Sequence, residues 1–329
     1  MSRITTALAT SHRVSLAAME EASRVGRRTA DCEHMLLALT IDPGIAGEAL
    51  RQQGVTLHAA REAVAAQHAD HLNALGFSPA EISSGPIVFH ETGGYEWSEG
   101  ALAVLKLASS GKNSGDSVAM LRALVHKPSG MVESILERLG TSPAAITAQL
   151  DEPASPTVDR NSHSNTSSSG AFTTTTAFVP APLTEIWELV SNPARIPEWD
   201  PSIASVASGT APLCLGGSRT ARARVERPDG GRIRIKPEFK RVGIELAESL
   251  PPHEVTWRFW YPDSERANTR RVTIRLEESA DGTRLRLNYG WERRNSRRSV
   301  RGLMLHPLQR VATAMQASQL ASSIARAFR

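Results

Sequence analysis

Few residues of this 329-residue chain have the types and spacing that could do chemistry. Tyr289 places a phenol in the alternating run Leu285, Leu287, Tyr289, Trp291. A phenol buried among apolar side chains needs a hydrogen-bond partner, so Tyr289 is the best candidate for orienting a bound molecule. Glu33 and His34 open the apolar stretch Met35-Leu36-Leu37. There the acid suits either the positive end of a helix or a docking surface, and no second His, Cys or carboxylate stands at metal-ligand spacing beside His34. Cys32 and Cys214 give neither a disulfide framework nor a metal spacing. Cys214, within Ala211-Pro212-Leu213-Cys214-Leu215-Gly216-Gly217, has no basic neighbour to activate it as a nucleophile. His253 and His306 are isolated, and no Ser-His-Asp set emerges. The nearest approach to a phosphate-cradling loop, Gly111-Lys112-Asn113, has Lys106 where the first glycine belongs and Asn113 where a hydroxyl should hold magnesium. Recognition rather than catalysis is therefore expected, with no cofactor, no metal and no ATPase activity.

The elements that must position these residues fall into two halves. Residues 151–170, DEPASPTVDRNSHSNTSSSG, hold almost nothing to bury and read as a flexible linker between a domain at 1–150 and a domain at 171–329. Charge divides there too. The first domain has 12 basic against 15 acidic residues, a net of −3, and the second has 25 against 16, a net of +9. No apolar leader and no window near the roughly 20 apolar residues of a membrane span is present, so a soluble, cytoplasmic protein is expected.

The first half is helical. Val14, Ala17, Ala18 and Ala22 keep an i, i+3, i+4 stripe, continued by Met35, Leu36 and Leu39 and by Ala46, Ala49 and Leu50. It also repeats. Leu36-Leu37-Ala38-Leu39 lies over Leu121-Arg122-Ala123-Leu124, Pro43 over Pro128, and each copy ends in a further helix opened by Thr56 or Ser142. Two copies of a four-helix unit follow. The second half alternates with period two at Val255, Trp257, Phe259, at Val272, Ile274, Leu276 and at Leu285, Leu287, Tyr289, Trp291, the signature of a half-buried antiparallel sheet. A strand at Phe172–Phe178 precedes these runs and a helical segment from about Ser299 to Phe328 follows them.

With EEASRVGRRTADCEHMLLALTIDPGIAGEALRQQGV as its best-preserved part, the first half resembles the N-terminal repeat (Clp-N) domain of the Clp unfoldases, especially the ClpC and ClpB types. The resemblance implies an all-α pseudo-two-fold bundle that docks substrates, adaptors, phosphoarginine marks or cyclic-peptide antibiotics. It carries a guanidinium-holding acid to Glu33, next to His34, whereas the second copy has Val118-Ala119 at that place. The second half, with APLTEIWELVSNPARIPEWDP, resembles the START-like superfamily (SRPBCC) in its polyketide cyclase/dehydrase branch, an α+β helix-grip fold in which an antiparallel sheet wraps one long C-terminal helix. That fold implies a pocket for a lipid, sterol or polyketide-like molecule. Its walls would be Ile186, Trp199, Trp257, Phe259, Val272, Ile274, Leu285, Leu287 and Tyr289, with Met304, Leu308, Val311 and Met315 from the helix. The same residues would equally fill an ordinary core, and Trp199 would serve as a gate or as a core anchor.

Arg222, Arg224, Arg232, Arg234, Arg271, Arg275, Arg284 and Arg286 alternate with apolar residues, and RRNSRRSVR clusters at 293–301. A solvated outer sheet face, partly paired with Glu226, Glu277 and Glu278, is preferred to a nucleic-acid surface because no aromatics interleave. Two functions follow. One is a non-enzymatic binding protein, a Clp-type docking domain tethered to a hydrophobic small-molecule domain, acting as adaptor, sensor or decoy for Clp proteolysis. The alternative is a cyclase- or aromatase-like enzyme of secondary metabolism, which requires polar groups converging inside the second domain.

Overall fold

A computed structural model describes residues 3–77, 85, 87, 94–110, 116–127, 130–152, 171–209, 213–227, 230–292 and 306–329, with side chains excepted at 3–9, 171 and 306–310. The chain divides into two compact units, Met1–Val158 and Asp159–Arg329.

In the first unit the helices are α1 (Arg3–Arg24), α2 (Cys32–Thr40), α3 (Ile45–Gln52), α4 (Leu57–Ala74), α5 (Glu99–Ser109), α6 (Ser117–His126), α7 (Met131–Arg138) and α8 (Pro143–Asp151). Their boundaries repeat chemically. Asp31 caps α2 and Asp116 caps α6. Gly44 opens α3 and Gly130 opens α7. The Thr56 hydroxyl accepts from the Ala59 amide at 3.2 Å and the Ser142 hydroxyl from the Ala145 amide at 3.2 Å, satisfying N–H groups that a helix start leaves without partners. After α3 and α7 come Gly54 at φ 76° and Gly140 at φ 75°, the left-handed turn that glycine reaches without a Cβ penalty. Leu36 and Leu39 and their counterparts Leu121 and Leu124 are all buried in one core. The halves are joined by the parallel pair β1 (Thr29–Ala30) and β2 (Glu96–Trp97), and by Asp42, which accepts from Ser117 at 2.8 Å and Arg13 at 2.6 Å. Pro128 and the Gly111-Lys112-Asn113 turn lie outside the described residues.

The second unit runs β3 (Ala171–Val179), α9 (Leu183–Ser191), a 3-10 turn at Pro193–Arg195, α10 (Ile196–Trp199), β4 (Ile203–Val206), β5 (Ser218–Ala223), β6 (Arg241–Leu250), β7 (Glu254–Trp260), β8 (Thr269–Ser279), β9 (Gly282–Glu292) and α11 (His306–Arg326). The seven strands form one antiparallel sheet in the order β3-β9-β8-β7-β6-β5-β4. One face packs α9, α10 and α11 against it in a single core. Trp257 fastens α9 to the sheet, its indole N–H donating to the Val190 carbonyl at 2.9 Å. The helix expected from about Ser299 begins at His306, and residues 293–305, with the predicted basic cluster at 293–301, lie outside the described residues.

On the other face, arginines and carboxylates interlock across four strands. Arg258 meets Glu245 at 3.3 Å and Glu292 at 3.0 Å, Arg271 meets Glu248 at 2.9 Å and Glu292 at 3.6 Å, and Arg275 meets Glu254 at 2.7 Å. Arg224 is turned inward to backbone, donating to the carbonyls of Pro201, Pro197 and Ile203. Arg271 and Arg275 of the predicted Arg-rich face are thus paired with carboxylates of their own sheet.

Candidate functional site

Strand register sorts the inner face into rows. Cross-strand partners put Ala177, Leu285 and Leu276 in one row, Thr175, Leu287, Ile274 and Val255 in the next, and Thr173, Tyr289, Val272 and Trp257 in a third. The last row is Trp291, Arg270 and Phe259. Aliphatic side chains therefore occupy one end of the interior, and aromatic and charged groups the other. Trp257, Phe259, Val272, Ile274, Leu285, Leu287 and Tyr289 are buried in this core, as the alternation predicts, together with Ile186 of α9 and Trp199 of α10.

Arg270 is not among the residues that the sequence pattern singles out. It is in phase with Val272, Ile274 and Leu276, and that parity is the signal that places it inside rather than beside Arg271 on the outer face. Its guanidinium makes a charged hydrogen bond to Asp200, which is the C-cap of α10, and donates to the Ser202 hydroxyl at 3.2 Å. Its carbon lies 4.0 Å from the Phe259 ring centre and 6.0 Å from that of Tyr289. Burial works against the Arg270 charge, but the Asp200 carboxylate outweighs it and leaves the guanidinium more basic than usual. Asp200 is also held by the Ser202 amide at 3.0 Å and hydroxyl at 2.7 Å.

Tyr289 has the partner its burial demands, its hydroxyl donating to Gln316 Oε1 at 3.2 Å. Burial raises its pKa above the ordinary phenol value, against the pull of Arg270, so it stays protonated and a donor. Trp199, one residue before Asp200, is wholly buried, yet its indole N–H has no hydrogen-bond partner among the described residues. Such a group is costly unless something else satisfies it.

The helix turns a different face inward from the one expected. Val311 and Met315, expected on the inward side of α11, are 59% and 56% exposed. The buried stripe is Thr313, Ala317, Leu320, Ala321 and Ile324, about half a turn away, because small side chains let α11 lie closely on β3 and β9. Met304 lies outside the described residues, as does the side chain of Leu308.

Glu33 and His34 of the first unit are also enclosed. The side chains of Glu33 and His34 are each only 4% exposed, so they do not form an open surface. Glu33 Oε1 lies 3.4 Å from His68 Nε2 on α4, 3.6 Å from Arg27 and 3.7 Å from His34 Nδ1. Burial pushes its carboxyl upward, but His68 and His34 outweigh that and leave it below its ordinary value. His34 is the third residue of a capping box, its Nδ1 accepting from the Asp31 amide at 3.1 Å while Asp31 accepts from the Cys32 amide at 2.7 Å and the Ser98 hydroxyl at 2.6 Å. Burial, with Arg27 behind it, lowers the pKa of His34 despite Glu33, Asp31 and Glu21. Val118, at the equivalent place in α6, is partly buried against the same core.

Among the described residues, no three His, Cys, Asp or Glu side chains converge to hold a metal, and no helix is long and apolar enough to cross a membrane. Residues 171–323 match the family described as polyketide cyclase / dehydrase and lipid transport, and the match includes none of residues 1–170. No curated protein matches the chain. Among solved structures, the chain is similar to protein Ms6760 from Mycobacterium smegmatis, 21% identical over 47% of this chain and 88% of that one, with a TM-score of 0.31. It is similar to the Polyketide_cyc-like protein Cgl2372 from Corynebacterium glutamicum, 16% identical over 48% and 91%, with a TM-score of 0.34. It is also similar to protein CV1439 from Chromobacterium violaceum, 14% identical over 47% and 97%, with a TM-score of 0.31.

Proposed function

We propose that the second unit is a receptor for an apolar small molecule, held between the inner sheet face and α11, and that the first unit is a Clp-type docking module. Together they act as an adaptor, sensor or decoy linked to Clp proteolysis. The observation that carries the ligand reading is the graded interior, in which aliphatic rows end in a cluster of Arg270, Asp200 and Tyr289. A core built for stability alone gains little from a buried ion pair, since desolvation offsets most of the attraction, whereas a binding site uses a few placed polar groups to fix orientation. The docking reading rests on the repeated four-helix plan and on the sequence resemblance at residues 8–150, not on Glu33 and His34, whose side chains are spent inside.

The cyclase-like reading draws on the same cluster, because polar groups do converge. Binding is preferred to catalysis on the proton inventory. Asp200 is committed to Arg270 and Ser202, the guanidinium keeps its proton, and Tyr289 is held protonated. Neither Arg270 nor Tyr289 is poised near neutral pH to give and take a proton, as general acid–base catalysis demands.

Native mass spectrometry of the gently purified full chain tests the reading. A defined small molecule released on denaturation, and lost in Tyr289→Phe or Trp257→Ala, is the expected result. A bare sequence mass that persists after exposure to cell lipid extract overturns it.

A further inference from the structure

We propose that the segment between β5 and β6 is a docking surface for an anionic membrane. The proposal goes beyond the ligand reading above and stands or falls apart from it.

Two short arms of this segment pair antiparallel, Glu226 against Arg232, with the Ile233 amide donating to the Val225 carbonyl at 2.8 Å and the Arg227 amide to the Gly231 carbonyl at 2.8 Å. That register sets Val225 directly opposite Ile233 and puts Arg227 on the same face, while Glu226 and Arg232 share the other. Val225 is 41% and Ile233 37% exposed, so two aliphatic side chains stand together in the open. The arms start from a fixed support, because Arg224 donates to the carbonyls of Pro201, Pro197 and Ile203.

The surrounding charge is of one sign. Residues 222–241 hold eight basic against three acidic residues. Arg227, Arg232, Arg234, Lys236 and Lys240 are exposed, and among the described residues none of them is in an ion pair, unlike Arg258, Arg271 and Arg275 on the outer sheet face. An exposed aliphatic pair alone is ordinary surface, and so is a basic run alone. Side by side they match the boundary of an anionic bilayer, where aliphatic side chains enter the acyl edge and the long arginine and lysine stems reach back to the phosphates. Phe239, the one aromatic residue of 222–241, is spent on Tyr261, edge to face with ring centres 5.0 Å apart. The segment thus offers aliphatic rather than stacking contacts, which fits lipid better than single-stranded nucleic acid.

The test is co-sedimentation of the full chain with vesicles of phosphatidylcholine alone and of phosphatidylcholine with about one-third phosphatidylglycerol. Binding to the anionic vesicles alone is expected, strong at about 0.1 M salt and weak at about 0.5 M. A basic residue at such a surface is worth about a fivefold gain, so Arg227→Gln with Arg234→Gln should weaken binding about 25-fold. Val225→Ser with Ile233→Ser, which leaves the charge unchanged, should weaken it about tenfold. Leu250→Ser should leave it unchanged, because Leu250, though 64% exposed, stands at the other end of β6, opposite Glu254. Failure to bind anionic vesicles overturns the inference, as does binding indifferent to Val225→Ser with Ile233→Ser. So does a loss that follows Arg297→Gln with Arg298→Gln instead of the variants in the arms, or a thymidine oligonucleotide that binds where vesicles do not.

Discussion

Removing the Asp200 carboxylate tests whether the buried pair is understood. In Asp200→Ala the Arg270 guanidinium keeps its stacking on Phe259 and one bond to Ser202 but loses its counter-charge in a site that is almost closed to water. Breaking a buried pair by taking one partner costs about 3–5 kcal/mol, because the surviving charge is left without compensation. For a unit of this size about 1 kcal/mol moves the melting temperature by about 2–4 °C, so a fall of about 6–20 °C is expected. Replacing both partners, as in Asp200→Ala with Arg270→Met, should restore most of the loss, since the desolvation cost of the two charges vanishes with them. Urea unfolding followed by tryptophan fluorescence reports it directly, because every tryptophan except Trp97 lies in the second unit. A loss below about 1 kcal/mol in the single variant, or a double variant no more stable than the single, would refute the account of a mutually dependent buried pair.

Three further outcomes follow from other parts of the molecule. Because His34 must be neutral for its Nδ1 to cap α2 and its pKa is lowered in the fold, the unfolded chain takes up the proton first. Stability of the first unit should then be complete above the ordinary histidine value near 6.5 and fall as pH drops below it, and in His34→Gln, which keeps a side-chain acceptor, far-UV circular dichroism melts should lose most of that slope. Burial raises the Cys32 thiol to about 11 whereas Cys214 is exposed, so iodoacetamide at pH 8 should label Cys214 alone in the native protein and both in urea, as peptide mapping would reveal. A Cβ on Gly243 would stand 2.2 Å from the Trp260 ring on the neighbouring strand, so Gly243→Ala should cost about 1–3 kcal/mol in urea unfolding, and much less in a Trp260→Val background.

The sequence carried some of this plainly and hid the rest for identifiable reasons. Strand alternation is a local property, and it put Trp257, Val272, Leu287 and Tyr289 on the correct face. Arg270 escaped because an arginine beside another arginine reads as surface, and only strict parity along β8 separates the two. On α11 the large apolar residues Val311 and Met315 suggested the inward face, but close approach of helix to sheet selects small residues, and Ala317 and Ala321 occupy the contact. Glu33 looked like an exposed helix-start acid because what encloses it, His68 on α4 and Arg27 after α1, comes from elsewhere in the chain. The capping box was hidden by its unusual third member, a histidine where glutamate or glutamine is expected.

The arginines on the outer sheet face also decide which sheet can form. In β8 the outward positions are Arg271, Thr273, Arg275 and Glu277, and in β9 they are Arg284, Arg286 and Asn288. Sliding either strand by one residue would exchange its two faces. Arg271 and Arg275 would enter the core, and Val272, Ile274 and Leu276 would face water. The misaligned sheet is thereby penalised far more than the native one is rewarded by any single ion pair. A variant with valines in place of Arg271, Arg275, Arg284 and Arg286 would keep only Thr273, Glu277 and Asn288 as polar outward residues of the two strands to oppose a slip. Its expected failing is loss of a unique alignment, with slipped or intermolecular pairing, even where every inward contact of the native sheet is kept.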